Sequence, residues 1–127
     1  MEARAVAKFI PGSPQKARGV IDLIRGRSVN EARSILMFSR KRAARKILDV
    51  VQSAIANALR KADESNIAVD VDELVVQQCY VNSGPTKHRA GSRRYRPAPR
   101  GRAYMERRRS SNITVVVSTG KEEKEGE

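Results

Sequence analysis

Side chains able to carry out catalysis are scarce in this chain. It contains one histidine, His88, and one cysteine, Cys79, so a zinc site of ordinary ligand count is out of reach. The carboxylates are spread along polar stretches, and no glycine-rich phosphate-binding motif is present. We therefore predict no enzymatic activity, no catalytic residues, no metal and no cofactor. A lone cysteine within an alternating apolar run suits a buried thiol in a reducing compartment.

Basic side chains, in contrast, are concentrated in Gly84–Ser111, here called the basic arm. This segment has one acidic residue, Glu106, and carries nine of the twelve net positive charges. Such a segment has too few aliphatic residues to collapse on itself, so we expect a polyanionic partner to order it. Nucleic acid is the strongest candidate, because the charge does not lie opposite an apolar helical face as in a membrane-surface helix. Its ten cations are Lys87, Arg89, Arg93, Arg94, Arg96, Arg100, Arg102, Arg107, Arg108 and Arg109.

The side chains of the basic arm suit contacts with phosphates and bases. Nine of its cations are arginines, which bind phosphate bidentately and stack on base planes. Tyr95 and Tyr104 are interleaved with them, and either stack on unpaired bases or pack on arginine stems across a hairpin. His88 lies between Lys87 and Arg89, which disfavour imidazole protonation and suit a solvated or RNA-contacting side chain better than a general base.

Two apolar segments must position this arm. Leu74–Val81 and Ile113–Val117 are short and rich in β-branched residues, which is typical of strands. Pairing Leu74 with Val117 places the turn within Arg94–Pro99, where two prolines favour a tip over a paired strand. We therefore predict a long hairpin, extended over residues 82–112, whose base is apolar and whose far half is basic.

The rest of the chain predicts one small α+β domain of three helices packed on an antiparallel sheet, with the β-hairpin projecting from it. An edge strand is expected over Ala3–Ile10. The first helix is expected over Pro14–Arg25, with a capping bond to Ser13 and a left-handed Gly26 at its end. The second helix is expected over Val29–Phe38 with Ser28 as its cap, and the third extends to about Glu64, ended by Asn66. Residues 1–119 form this domain, and the polar tail 120–127 is expected to be disordered. The N-terminal residues lack an apolar signal core and no run could span a membrane, so we expect a soluble, non-secreted protein.

The start of the third helix has an unfavourable charge distribution for an isolated helix. Arg40, Lys41, Arg42, Arg45 and Lys46 crowd its first two turns, where the helix dipole is positive and disfavours cations. A docked phosphate would reverse this penalty, since exposed amides and cationic side chains would then face an anion. The alternative is a merely solvated charge cluster.

Several motifs in order resemble the large-ribosomal-subunit protein family universally numbered twenty-two. The similarity covers roughly Ala3 to Ser118. The resemblance implies a structural, RNA-binding component of the large subunit, helping its assembly, with a hairpin that lines the nascent-peptide exit tunnel. It implies large-subunit rRNA, neighbouring ribosomal proteins and the nascent polypeptide as partners, no membrane and no homo-oligomer. The implied location is the ribosome of the cytoplasm, with an organelle ribosome as the alternative. The motifs are Ser13–Arg18, Val20–Gly26, Ser53–Ala58, Gly84–Pro85, Gly101–Ala103 and Ser111–Val117.

Carried onto this chain, the resemblance assigns RNA contacts to Lys16, Arg18, Arg25, the five cations of the third helix and the ten of the basic arm. It assigns the tunnel-lining tip to His88, Arg89, Ala90, Gly91, Ser92, Arg93, Arg94, Tyr95, Arg96 and Pro97. The chain departs from the family pattern by extra length at about Ala90–Tyr95, by Asn112 where histidine is common, and by Gly19 where a bulkier residue is usual. An architectural DNA-binding protein with a basic β-arm is the alternative function.

Overall fold

The computed structural model describes residues 1–85, 94–106 and 108–119. The predicted acidic tail, 120–127, lies outside the described residues, as do 86–93 and 107 of the basic arm. In chain order the helices and strands are β1 (Glu2–Pro11), α1 (Pro14–Ile21), α2 (Val29–Phe38), α3 (Arg42–Glu64), β2 (Leu74–Ser83), β3 (Arg94–Pro97), β4 (Ala103–Glu106) and β5 (Ser110–Thr119).

A three-stranded antiparallel sheet forms the centre of the fold, in the order β1-β5-β2. Val115 of the middle strand lies opposite Ala5 on one side and Cys79 on the other. All three side chains are buried, because alternate residues of each strand face the helices. The predicted α+β class, with three helices on an antiparallel sheet and a basic hairpin, is confirmed, and so is the edge position of the first strand.

Helix α3 lies along the edge strand β1 and covers it. The Asn57 side-chain amide donates a hydrogen bond to the Arg4 carbonyl at 3.0 Å, and the Lys61 ammonium donates one to the Glu2 carbonyl at 2.7 Å. These bonds occupy outward carbonyls of β1 that would otherwise offer an open sheet edge. Small residues allow this close approach: buried Ala3 and Ala5 on β1, and buried Ala54 and Ala58 on α3.

Helix α1 is shorter than predicted. It ends at Ile21, so the prediction that it continues to Arg25 is wrong. The Ile24 N–H donates to the Ile21 carbonyl at 3.1 Å, three residues back, which tightens the backbone into turns. Gly26 does adopt the predicted left-handed conformation, with φ of 79°, and its N–H donates to the Val76 carbonyl of β2 at 3.1 Å. Pairing with β2 therefore competes successfully with continuation of the helix.

The other two helices end where the sequence predicted. Ser28 caps α2 by accepting a hydrogen bond from the Glu31 N–H at 3.3 Å. Helix α3 ends at Glu64, and Asn66 follows it with a left-handed φ of 54°. Asparagine tolerates this conformation better than most residues.

At the base of the hairpin, the pairing register of β2 with β5 differs from the prediction by two residues. Leu74 lies opposite Thr119, and Val76 is the residue opposite Val117. A shift of two residues keeps every side chain on its predicted face of the sheet, so the core is unaffected. A bulge between Val76 and Gln78 then shifts the ladder once more.

The turn of the basic arm lies later than residues 94–99, where it was predicted. Pro97 pairs with Ala103 in the antiparallel β3–β4 ribbon. The prediction that Pro97 lies at an unpaired tip is therefore wrong. The chain reverses over Pro99–Arg102 instead. Arg100 and Gly101 both have positive φ, 61° and 71°. Positive φ at both central residues is typical of two-residue hairpin loops, because such turns match the twist of the flanking strands.

Candidate nucleic-acid interface

A cleft of about 450 Å³ lies between the start of α1, the start of α3 and the start of β5. Lys16 of α1 lines it, together with Arg42 and Lys46 of α3. All three cations are exposed. The fold thus brings together predicted RNA-binding residues that lie far apart in sequence, and we call this site the basic cleft.

Both helices begin at the basic cleft, and no acidic side chain in either first turn offsets the positive helix start. The residues that precede α1 and α3, Ser13 and Lys41, provide no side-chain capping bond, and the first turns contain no acidic residue. The predicted capping by the Ser13 hydroxyl is therefore wrong; its carbonyl accepts the N–H of Ala17 at 3.2 Å. Helix-start amides and cations in one cleft are suited to an anion such as phosphate.

Hydrogen bonds join the floor of the basic cleft to the base of the basic arm. The hydroxyl of buried Ser111 donates to the Gly12 carbonyl at 2.9 Å, and the Gly12 N–H donates to the Arg109 carbonyl at 3.1 Å. Arg108 and Arg109 are exposed and directly precede β5. The cleft and the arm are therefore neighbouring parts of one basic surface.

The predicted cation cluster of the third helix is divided by the fold. Arg42 and Lys46 line the basic cleft, whereas Arg40, Lys41 and Arg45 are exposed but do not line it. The two lining residues are four apart, so they share one face of α3.

The side chains of Arg18 and Arg25 donate hydrogen bonds to backbone carbonyls of β2. The Arg18 Nε donates to the Val81 carbonyl at 3.1 Å, and an Arg25 terminal nitrogen donates to the Cys79 carbonyl at 2.9 Å. Arg25 also pairs with Asp22 at 2.7 Å, and this hydrogen bond raises the pKa of its guanidinium. Both side chains therefore fix the α1 region to the sheet, and their contact with RNA stays a prediction.

Comparison with known proteins gives the family. The profile of the family described as "Ribosomal protein L22p/L17e" matches residues 5–118. The chain belongs to this family. It is similar to the curated "Large ribosomal subunit protein uL22" of Pelotomaculum thermopropionicum, at 50% identity over 96% of this chain and 99% of the relative. The corresponding proteins of Desulforamulus reducens and Clostridium novyi are 49% and 44% identical, covering 96% and 92% of this chain and 99% and 96% of theirs.

Membership of the L22p/L17e family confirms the predicted class of protein. The chain is a structural, non-enzymatic constituent of the large ribosomal subunit, and its place is in the ribosome of the cytoplasm, as for its bacterial relatives. In the part of the chain that the structure describes, no group of histidine, cysteine and carboxylate side chains could hold a metal ion. No helix in those described ranges is long and apolar enough to cross a membrane.

In this L22p/L17e-family protein the described part of the arm is a ribbon with exposed aromatic and basic residues. Arg96 lies opposite Tyr104 on the paired strand, and the exposed Tyr95 lies opposite Met105. Arg100 and Arg102 are exposed at and beside the turn. Arg94 begins β3. The predicted RNA contacts Lys87, Arg89, Arg93 and Arg107 lie outside the described residues, as do His88, Ala90, Gly91 and Ser92 of the predicted tip.

Sequence reasoning missed how closely the arm's two strands approach at their base. A Cβ atom added at Gly84 would lie 2.5 Å from the Ser110 hydroxyl oxygen and 3.2 Å from Asn112 Oδ1. The Ser110 hydroxyl donates to the Pro85 carbonyl at 2.5 Å, and the Gly84 N–H donates to the Ser110 carbonyl at 2.9 Å. A side chain at position 84 would therefore have to displace the Ser110 hydroxyl from this hydrogen bond. The recurrence of Gly84–Pro85 among the family motifs was the available signal.

Proposed function

We propose that this ribosomal protein binds large-subunit rRNA through the basic cleft and the basic arm, and thereby helps the subunit to assemble. The observation that carries the proposal is the convergence of Lys16, Arg42 and Lys46 on one cleft, at two helix starts and beside the base of the arm. Such a cleft holds a phosphate from several directions. The arm supplies further cations to a second stretch of the same RNA.

The proposed mechanism is electrostatic and requires no chemical step. Each cation that neutralises a phosphate releases counterions, so the affinity should fall steeply with salt. The cleft fixes the domain on the RNA. The arm, whose described residues form a two-stranded ribbon with exposed cations, places those cations against RNA on either side. Joining RNA segments that are distant in sequence is how it would help assembly.

The hairpin is proposed to line the nascent-peptide tunnel. Among the described residues the chain reverses at Pro99–Arg102, so Arg96–Arg102 is the proposed end of the ribbon, later than the sequence-based assignment to His88–Pro97. Partners in this proposal are rRNA, neighbouring large-subunit proteins and the passing polypeptide. The protein acts as a single copy.

A competition experiment tests the choice of nucleic acid. The protein is bound to a labelled large-subunit rRNA transcript at about 0.15 M salt, the physiological ionic strength, and challenged with an excess of duplex DNA or of unlabelled transcript. We expect only the transcript to displace the label. Displacement by duplex DNA at an equal nucleotide concentration would contradict the proposal and favour an architectural DNA-binding protein.

Site-directed crosslinking tests the tunnel assignment. The chain has one cysteine, Cys79, which is 3% exposed, so Arg100→Cys introduces a single accessible thiol. Ribosomes carrying this variant, stalled on a nascent chain with one cysteine, should form a disulfide between the two proteins. The control variant Arg60→Cys places the thiol on α3, where the native side chain is 80% exposed, and should form none. Equal crosslinking at both positions, or none at Arg100→Cys, would rule out the tunnel-lining assignment.

A further inference from the structure

Phe9 has two unusual properties in this fold. It lies at an irregularity in the edge strand β1, between Ala7 and Ile10, with a left-handed φ of 60°. Bulky residues rarely adopt this conformation, because the Cβ atom crowds the backbone. The residue is nevertheless 64% exposed, so burial of the ring does not offset the strain. Strain that packing does not explain is often found where a residue contacts a ligand.

The protein holds Phe9 in place through the middle strand. The Phe9 N–H donates a hydrogen bond to the Asn112 side-chain oxygen at 3.1 Å, and the regular ladder resumes with Ile10 opposite Ser111. Asn112 stands at the position where the family resemblance leads one to expect histidine. The Asn112 side chain of β5 therefore helps to hold the irregularity in β1.

Phe9 directly precedes a residue that lines the basic cleft, although its own side chain is not part of the lining. Ile10 and Ser111, the first pair after the irregularity, both line the cleft that holds Lys16, Arg42 and Lys46. The preceding residue, Lys8, is a further exposed cation. An exposed aromatic ring one residue away from a cleft that holds three cations is a combination suited to unpaired nucleotides, since the cations can hold the backbone while the ring stacks on a base.

We propose that Phe9 is a base-stacking residue, and that its ring stacks on an unpaired base of the RNA whose backbone occupies the basic cleft. This inference rests on the proposed rRNA binding and adds a contact that recognises bases to one that recognises phosphates. Asn112 is the positioning residue, because it fixes the backbone of the stacked ring.

Tryptophan fluorescence tests the stacking directly. The chain contains no tryptophan, so Phe9→Trp introduces a single reporter at this position. Phe38→Trp is the matched control, since Phe38 is 83% exposed at the end of α2, a helix that contributes no residue to the lining of the basic cleft. Each variant is titrated with large-subunit rRNA transcript and, separately, with inorganic polyphosphate, which has phosphates but no bases. Binding is followed independently by anisotropy of a labelled RNA.

We expect rRNA to quench the reporter at position 9 and not at position 38, and polyphosphate to quench neither. Bound RNA with no quenching at position 9, or equal quenching at both positions, would overturn the stacking inference while leaving rRNA binding in place. Absence of RNA binding by both variants and by the wild type would instead refute the proposed function itself.

Two further variants separate stacking from a role in folding. Phe9→Leu and Phe9→Gly remove the ring, and each should lower rRNA affinity by about 5- to 150-fold, the range expected for loss of one aromatic stack, without changing the salt slope. Glycine also relieves the left-handed strain, so the Tm of Phe9→Gly should equal or exceed that of the wild type. A Tm that falls together with affinity in Phe9→Gly, or a shallower salt slope, would show that Phe9 supports the fold or the phosphate contacts and not a base.

Discussion

Removing the three cations of the basic cleft should flatten the salt dependence of rRNA binding by a predictable amount. We expect the triple variant Lys16→Gln, Arg42→Gln, Lys46→Gln to reduce the slope of log K against log salt by about two to three, at roughly 0.7–0.9 per phosphate contact. Because this contribution vanishes near 1 M salt, the affinity at about 0.15 M should fall by roughly 50- to 170-fold. The three side chains are exposed, so the Tm should hardly change.

The measurement is a titration of rRNA transcript by filter binding at several salt concentrations, with circular dichroism to verify the fold. Arg60→Gln serves as the control, because Arg60 is a cation of the same helix α3 that does not line the cleft and pairs with Glu64 at 3.3 Å. Its slope should match the wild type. The reasoning would be refuted if the triple variant kept the wild-type slope, or if Arg60→Gln lost as much slope per charge removed.

Three further predictions concern stability and reactivity. Gly84→Ala should lower the free energy of unfolding, measured in urea, by about 1–3 kcal/mol, since the new methyl group must displace the hydrogen-bonded Ser110 hydroxyl. Gly19→Ala on α1 adds a methyl group that meets nothing within 4 Å, so this control should instead stabilise the protein by about 1 kcal/mol. The opposite order of stabilities would contradict the contacts described at Gly84. Asn57→Ala removes the bond to the β1 carbonyl and should cost about 1 kcal/mol in the same assay, whereas no cost would mean that the covered edge needs no such bond. Burial raises the pKa of the Cys79 thiol, with a smaller opposing effect from nearby Arg25, so the folded protein should react with iodoacetamide far more slowly than the unfolded chain. The free energy of unfolding should fall as the pH rises above 9.0, the ordinary pKa of the thiol in the unfolded chain. Equal reaction rates of the folded and unfolded protein would refute this burial.

Features set by neighbouring residues were predictable from the sequence. Ser28 caps α2, Gly26 and Asn66 adopt left-handed backbones, and α3 ends at Glu64, because each of these features depends on a few adjacent side chains. The early end of α1 at Ile21 could not be foreseen, since the competing hydrogen bonds come from β2, far along the chain. A local sequence pattern predicts local structure, but it contains no information on hydrogen bonds to a strand far along the chain.

The candidate site shows the same division. Charge identified Lys16, Arg42 and Lys46 individually, but only the sheet brings the starts of α1 and α3 together at one cleft. The bulge in β2 and the register shift move the midpoint of the β2–β5 pairing only to residue 97, whereas the β3–β4 turn is centred near residue 100. The rest of the displacement comes from unequal segments of chain between the paired strands, residues 84–93 on one side and 107–109 on the other, and residue type gives no sign of this asymmetry. Phe9 could not be recognised from the sequence, because an aromatic residue in a predicted edge strand gives no indication of a left-handed backbone.

The position of β5 in the sheet has a consequence for the order of events during synthesis. Both outer strands hydrogen-bond to β5 and not to each other, yet β5 is made after every other described element. A growing chain that has not yet released Ser110–Thr119 therefore exposes the apolar faces of β1 and α3 with no middle strand to complete the core. Contacts between residues so far apart in sequence also slow folding. Newly made copies should thus depend on chaperones until the last strand emerges, and truncations that remove it should yield aggregated protein instead of a smaller folded domain.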